Sequence, residues 1–77
     1  MRILEINGYK VYIYYNDCKQ HNLPHCHVRY KDEKEWVLLL PTLDVIIGGK
    51  LKKKIKNYLA DNLDYLCNKW DELNPDC

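Results

Sequence analysis

Leu43-Asp44-Val45-Ile46-Ile47-Gly48-Gly49-Lys50-Leu51-Lys52-Lys53-Lys54-Ile55 is the stretch in which the chain changes its hydrophobic period. Before Gly48 the apolar residues alternate or run in short β-branched blocks. From Lys50 onward they recur at i, i+4 and i+7, as Leu51, Ile55, Leu59, Leu66, Trp70 and Leu73, with Tyr58, Leu63 and Cys67 alongside. A period of two sends successive side chains to opposite faces of a strand, whereas 3.6 lines up one stripe on a helix. The spacing predicts one long amphipathic helix over about 50–73, ending before Pro75.

N-terminal to that switch the chain reads as strands. Arg2 to Ile6 and Tyr9 to Tyr15 flank Asn7-Gly8. Asn-Gly is the strongest two-residue hairpin signal, because both central positions of a type I′ turn need positive φ. In the second strand Val11, Ile13 and Tyr15 share one face, and Lys10, Tyr12 and Tyr14 the other. Asn16 to Pro24 is polar and reads as a loop. His25 to Lys31 reads as a third strand, Lys31-Asp32-Glu33-Lys34 as a charged turn, and Glu35 to Leu40 as a fourth strand. In that strand Trp36, Leu38 and Leu40 lie opposite Val37 and Leu39, and Pro41 should stop it. Leu43 to Ile47 reads as a short fifth strand.

A helix with one apolar stripe must bury it, and the sheet is its available partner. The expected class is therefore α+β: a small antiparallel sheet, made of the N-terminal hairpin plus two or three further strands over about 2–47, packed against one long C-terminal helix. Seventy-seven residues hold one domain, 1–77. So short a chain buries only about 60% of its unfolded surface, so its stability should be modest without a dimer, metal or disulfide. Apolar residues make up 47%, which argues against disorder. Seven tyrosines and two tryptophans supply all the aromatic bulk, and tyrosine hydroxyls favour the rim of a core or an interface.

No apolar run approaches the ~20 residues of a transmembrane span, and the first residues do not resemble a secretory signal. The chain reads as cytoplasmic, without membrane association. Its four cysteines, Cys18, Cys26, Cys67 and Cys77, are then expected to be reduced thiols. Cys67 falls in the helical pattern as a small core residue and Cys77 is a terminal thiol, which leaves Cys18 and Cys26 for a chemical reading.

Net charge is +1, so the molecule as a whole exerts no general pull on nucleic acid or anionic lipid. Its distribution is uneven. Lys50, Lys52, Lys53, Lys54 and Lys56 crowd the start of the predicted helix, and Asp61, Asp64, Asp71 and Glu72 occupy its later part. The macrodipole favours the reverse by about 0.3–1 kcal/mol per well-placed charge. Either the lysines form a solvated face, or they make an anion site with the helix amides and the two glycines, suited to a nucleic-acid phosphate or an acidic protein. The segment is not a P-loop, since Asp44 stands at its first glycine and Leu51 at its hydroxyl position.

All three histidines fall within the seven residues His21 to His27, beside Pro24 and the cysteines Cys18 and Cys26. Strand alternation puts His25, His27 and Arg29 in a row on one face and turns Cys26, Val28 and Tyr30 away. The loop residues His21 and Asp17 could fold back over the row. Three readings stay open. The row is a polar sheet face whose imidazoles bond to tyrosines or backbone. Or His21, His25, His27 and Cys18, with Cys26 or Asp17, hold zinc, although the paired Cys-x-x-Cys knuckle is missing. Or the row does phosphate-directed work: two imidazoles trade protons with a ribose hydroxyl and a leaving oxygen while Arg29 stabilises charge, or the same groups bind phosphate without catalysis.

His21-Asn22-Leu23-Pro24-His25-Cys26-His27-Val28 resembles the signature of a small prokaryotic domain-of-unknown-function family, roughly Asp-His-Asn-Pro-Pro-His-Phe-His-Val. The surroundings agree: a strand from Val11 to Tyr15 before the motif, another through Tyr30 after it, and a helix closing on Leu66-Cys67-Asn68-Lys69-Trp70. The family's histidines correspond to His21, His25 and His27, its second proline to Pro24 and its valine to Val28. This chain departs at Leu23, at Cys26, and in the apparent insertion Cys18-Lys19-Gln20 after Asp17. Members are often encoded beside a second small protein and look like halves of toxin–antitoxin pairs. The resemblance therefore implies a small cognate protein as partner. It also frames the leading expectation: a toxin component engaging RNA or another phosphate-bearing target, with no cofactor required. The alternatives are a non-enzymatic interaction or homodimerisation module and a small zinc-binding protein.

Overall fold

The computed structural model describes residues 2–15 and 23–75. Asn7 and Gly8 adopt φ of +49° and +84°, the pair of positive values that a type I′ turn demands. They join β1 (Arg2–Ile6) to β2 (Tyr9–Tyr12) in an antiparallel hairpin. β3 (His25–Tyr30) pairs with β2, and β4 (Lys34–Leu39) pairs with β3 across the charged turn, where Glu33 N–H donates to the Tyr30 carbonyl. β5 (Val45–Ile47) adds to β4. The result is a five-stranded antiparallel meander in the order β1-β2-β3-β4-β5. Two helices follow, α1 (Lys53–Asp61) and α2 (Leu63–Leu73).

Register sorts the side chains into two faces. Leu4, Val11, Val28 and Trp36 form one cross-strand row, with Cys26 and Leu38 in the next. These residues meet Leu51, Ile55, Leu59, Leu66, Trp70 and Leu73 from the C-terminal segment in a single core. Val11, Cys26, Val28, Leu38, Leu59 and Leu66 are wholly excluded from solvent. Each such Leu, Ile or Val contributes about 1.5–3 kcal/mol relative to exposure. The architecture is α+β, as the change of period implies.

The single long helix is not what forms. Asn62 interrupts it with φ −113° and ψ 20°. Its side-chain amide donates to the Tyr58 carbonyl at 2.9 Å, the acceptor that a continuous helix would reserve for the Asn62 backbone N–H. That N–H turns instead to Leu59, and the Asn62 carbonyl accepts from Leu66 N–H to start α2. The apolar stripe runs across the break, so periodicity alone does not reveal it. The break also revises the charge reading. Asp64 now stands in the first turn of α2, where the dipole favours it, while the opening turn of α1 remains without an acidic residue. Helix α1 begins at Lys53, so Lys50 and Lys52 precede it.

Two smaller differences follow from where pairing stops. β2 ends at Tyr12 rather than Tyr15, and Tyr15 is 65% exposed instead of sharing the buried face of Val11 and Ile13. Before β5, Leu43 takes φ +64° and Asp44 enters the turn, which shortens that strand to three residues.

Gly48 and Gly49 separate two kinds of glycine requirement. A Cβ on Gly48 would lie 2.3 Å from the Glu35 carbonyl oxygen and 2.8 Å from the Trp36 ring, at φ +102°. A Cβ on Gly49, at φ +75°, would meet nothing within 4 Å. Gly48→Ala should therefore destabilise the fold by more than about 2 kcal/mol, and Gly49→Ala by about 1–2 kcal/mol from backbone strain alone. Urea titrations of the two variants against the parent protein measure the difference.

Candidate functional site

The face of the sheet opposite the helices is built from two cross-strand rows. Glu5, Lys10, Arg29 and Glu35 are register partners across β1 to β4. The next row places Arg2, Tyr12, His27, Val37 and Ile47 side by side. Two ion pairs trim the charges: Arg29 Nε lies 3.5 Å from Glu35 and Arg2 lies 3.2 Å from Glu5. Both are exposed, and such pairs contribute at most about 1 kcal/mol.

Aromatic rings fill the end of this face. Tyr12 and Tyr14 are nearly parallel, at 5° with centroids 5.9 Å apart. Tyr14 meets His27 edge-on at 4.8 Å, and His27 lies 5.2 Å from His25. His25 in turn contacts Trp70 of α2 at 4.9 Å. A chain of ring contacts therefore runs from the helix layer through the two histidines to the paired tyrosines. Asn74, just past α2, fastens the same corner: its side-chain amide donates to the Tyr14 carbonyl at 3.0 Å and to the Trp70 carbonyl at 3.3 Å.

The two histidines are not equivalent. His25 is fully buried, and its Nδ1 lies 2.9 Å from the Leu23 carbonyl. A carbonyl can only accept, so Nδ1 carries the hydrogen in that contact, and a neutral His25 keeps its acceptor at Nε2. His27 is buried to 9% exposure at the aromatic patch. Arg29 remains partly exposed beyond it. The expected row of His25, His27 and Arg29 exists, yet His25 is enclosed between Leu23, His27 and Trp70 rather than offered to a ligand. His21, Asp17, Cys18 and Cys77 lie outside the described residues.

The lysines of the predicted anion site belong to a different part of the molecule. Lys50, Lys52, Lys53 and Lys54 are exposed and Lys56 half-buried, on the segment whose Leu51 and Ile55 enter the core from the helix side. That segment packs on the core face of the sheet, the face opposite the one to which alternation assigns His27.

Cys26 points into the core, as alternation predicts. Burial, and to a smaller degree the neighbouring Cys67, push its thiol up to about 12. Cys67 is raised as well, by its surroundings first and then by Asp71 and Asp64. The Cys26 sulfur thus lies on the core side of β3, away from the face that carries His27. Among the described residues no three His, Cys, Asp or Glu side chains come together to hold a metal ion. No helix among them is long and apolar enough to cross a membrane.

The family model described as Domain of unknown function (DUF4160) matches residues 8–71, from the Gly8 turn to the last turns of α2. The chain belongs to the DUF4160 family. No curated protein and no solved structure matches it. The matched DUF4160 span contains the ring contacts from Tyr12 to Trp70 and the Arg29–Glu35 pair, while Arg2, Glu5 and Asn74 lie outside it.

Four members of the site escape a reading of the sequence. Tyr12 and Tyr14 can be placed opposite the core by alternation, but only the β2–β3 register puts Tyr12 beside His27. Trp70 reads as an ordinary stripe residue until the fold sets it against His25. Asn74 gives no signal beyond a polar residue near the helix end.

Two stability predictions follow. His25→Ala should cost about 2–4 kcal/mol, because it leaves a cavity against Trp70 and strands the Leu23 carbonyl, whereas Arg29→Ala should cost less than about 1 kcal/mol. Thermal unfolding of the two variants measures this. Cys26 predicts a pH effect. Between the ordinary thiol value of 9.0 and about 12 the unfolded chain releases the Cys26 proton while the folded chain keeps it. Stability therefore falls by about 1.4 kcal/mol per pH unit across that range, and is unaffected by this group below it. The slope should be shallower by about that amount in a Cys26→Ala variant measured in parallel, with the raised Cys67 thiol still contributing its own part.

Proposed function

We propose that this DUF4160 protein is the RNA-engaging component of a toxin–antitoxin-type pair, and that its target's phosphates meet the Lys10–Arg29 row beside His27. The observation that carries the reading is the adjacency of two rows on the sheet face opposite the helices: partly exposed cations from Lys10 and Arg29 in one, half-buried Tyr12 and the nearly buried His27 in the next. Guanidinium and ammonium groups position phosphate, while neighbouring rings accept what the phosphates join. The pair assignment rests on the resemblance to a family whose members look like halves of such systems, and it names a small cognate protein as partner.

The enclosure of His25 favours binding over two-imidazole cleavage by this row. His27 then acts at the face, and His25 holds its ring in place from below. A second reading, a non-enzymatic protein-interaction module, draws support from the free edge of the sheet. β5 is the last strand, and Ile46 and Ile47 on it are 42% and 47% exposed. An exposed apolar edge is a ready template for a partner strand.

Fluorescence polarisation with a labelled RNA, repeated across a salt series, tests the leading reading. The double variant Lys10→Gln/Arg29→Gln should keep the parent's melting temperature to within a few degrees and weaken binding. Its log–log salt slope should be smaller by about 1.4, the loss of two neutralised phosphates on a single strand. Growth arrest on expression should weaken in the same variant and be relieved by the cognate protein. Full RNA binding by the variant would remove this face from the function, and a stable complex with the neighbouring gene product in the absence of any RNA affinity would favour the second reading.

A further inference from the structure

We infer that the sheet face opposite the helices takes unpaired nucleobases, stacking them on the half-buried Tyr12 and Tyr14 while Lys10 and Arg29 hold the connecting phosphates; this rests on the nucleic-acid reading above. The charge count on the face decides against a duplex. Among the described residues, Arg2, Lys10 and Arg29 stand against Glu5 and Glu35, three cations to two carboxylates, with Arg2 and Arg29 already paired. A duplex shows a flat sheet little but phosphate, and its affinity comes from releasing many counterions. This face can release few.

What the face has in surplus is planar ring surface in a fixed orientation. Tyr12 and Tyr14 are held within 5° of parallel, both half-buried. Tyr14 is braced by the edge-on His27 ring and by Asn74 on its carbonyl. Rings immobilised in the free protein lose little freedom when a base settles on them. Stacking of this kind serves single strands, because bases in a duplex already stack on one another. Arg29, the cross-strand partner of Lys10 and two residues beyond His27, supplies a charge to the same strand as it leaves the rings.

The exposed lysines from Lys50 to Lys54 provide an internal control. They lie on the helix side, carry no neighbouring ring contact among those described, and would attract phosphate whatever its strandedness.

The test compares labelled RNA of about 12 nucleotides, DNA of the same sequence, and the RNA duplex, by fluorescence polarisation at fixed salt. Both single strands should bind at least about tenfold tighter than the duplex. Tyr12→Leu and Tyr14→Leu, which keep apolar bulk but lose the flat ring, should each weaken single-strand binding about tenfold and leave duplex binding unchanged. Preference for RNA over DNA would add the ribose hydroxyl to the recognised chemistry; equal binding would confine it to base and phosphate, and both outcomes support the proposal. Equal affinity for strands and duplex, with binding still dependent on Lys10 and Arg29, would overturn it while leaving the phosphate reading intact. Absence of binding to every nucleic acid would remove both. Should a leucine variant fail to fold, photocrosslinking of the wild-type protein to 5-bromouridine RNA decides. Adducts at Tyr12 or Tyr14 support the face, and adducts confined to residues 50–56 overturn it.

Discussion

Burial of one face of the meander under two short helices is the constraint on which everything else depends. Val11, Val28, Cys26 and Leu38 are drawn from water against Leu59 and Leu66, and no other part of so small a chain can supply comparable apolar area. Because side chains alternate along a strand, fixing these residues inward fixes their neighbours outward. Lys10, Tyr12, His27 and Arg29 thus reach the opposite face as a consequence of core packing. The candidate site needs no element of its own.

The corner where the layers meet gives the two faces a physical connection. Trp70 belongs to the core, yet its ring touches His25, which touches His27, which touches Tyr14. Asn74 joins the end of α2 to the Tyr14 carbonyl. The helix layer therefore contributes to the orientation of the rings on the far face. His25 is best understood as part of that connection: excluded from solvent, hydrogen-bonded to Leu23, and wedged between a core indole and an exposed-face imidazole. The same position that would make it a poor proton donor to a bound ligand makes it a good brace.

Much of this is legible in local chemistry. Asn7-Gly8 announces the hairpin because few residues other than Asn and Gly accept two successive positive φ values. The alternation in Glu35 to Leu40 assigns Trp36 and Leu38 to the core and Val37 to the other side, and the shift to a 3.6 period after Gly49 places the helical layer. The break at Asn62 is hidden because it preserves the stripe. An Asn amide in competition with the backbone is visible only when its acceptor, the Tyr58 carbonyl, is within reach. The grading of the row from the fully buried His25 through the nearly buried His27 to the partly exposed Arg29 is equally invisible, since a row on one strand carries no information about what caps its ends.

The sequence by itself determined the α+β class, the strand faces, the inward turn of Cys26 and membership of the polar row, because these follow from periodicity and from the φ demands of a few residues. Only the tertiary structure decided which row members meet solvent, that Tyr12 rather than another ring stands beside His27, and that the lysine cluster lies across the sheet from the histidines. Those outcomes depend on cross-strand register and on the side from which the helices dock. Both are settled by contacts between residues far apart in the chain, and no local pattern encodes them.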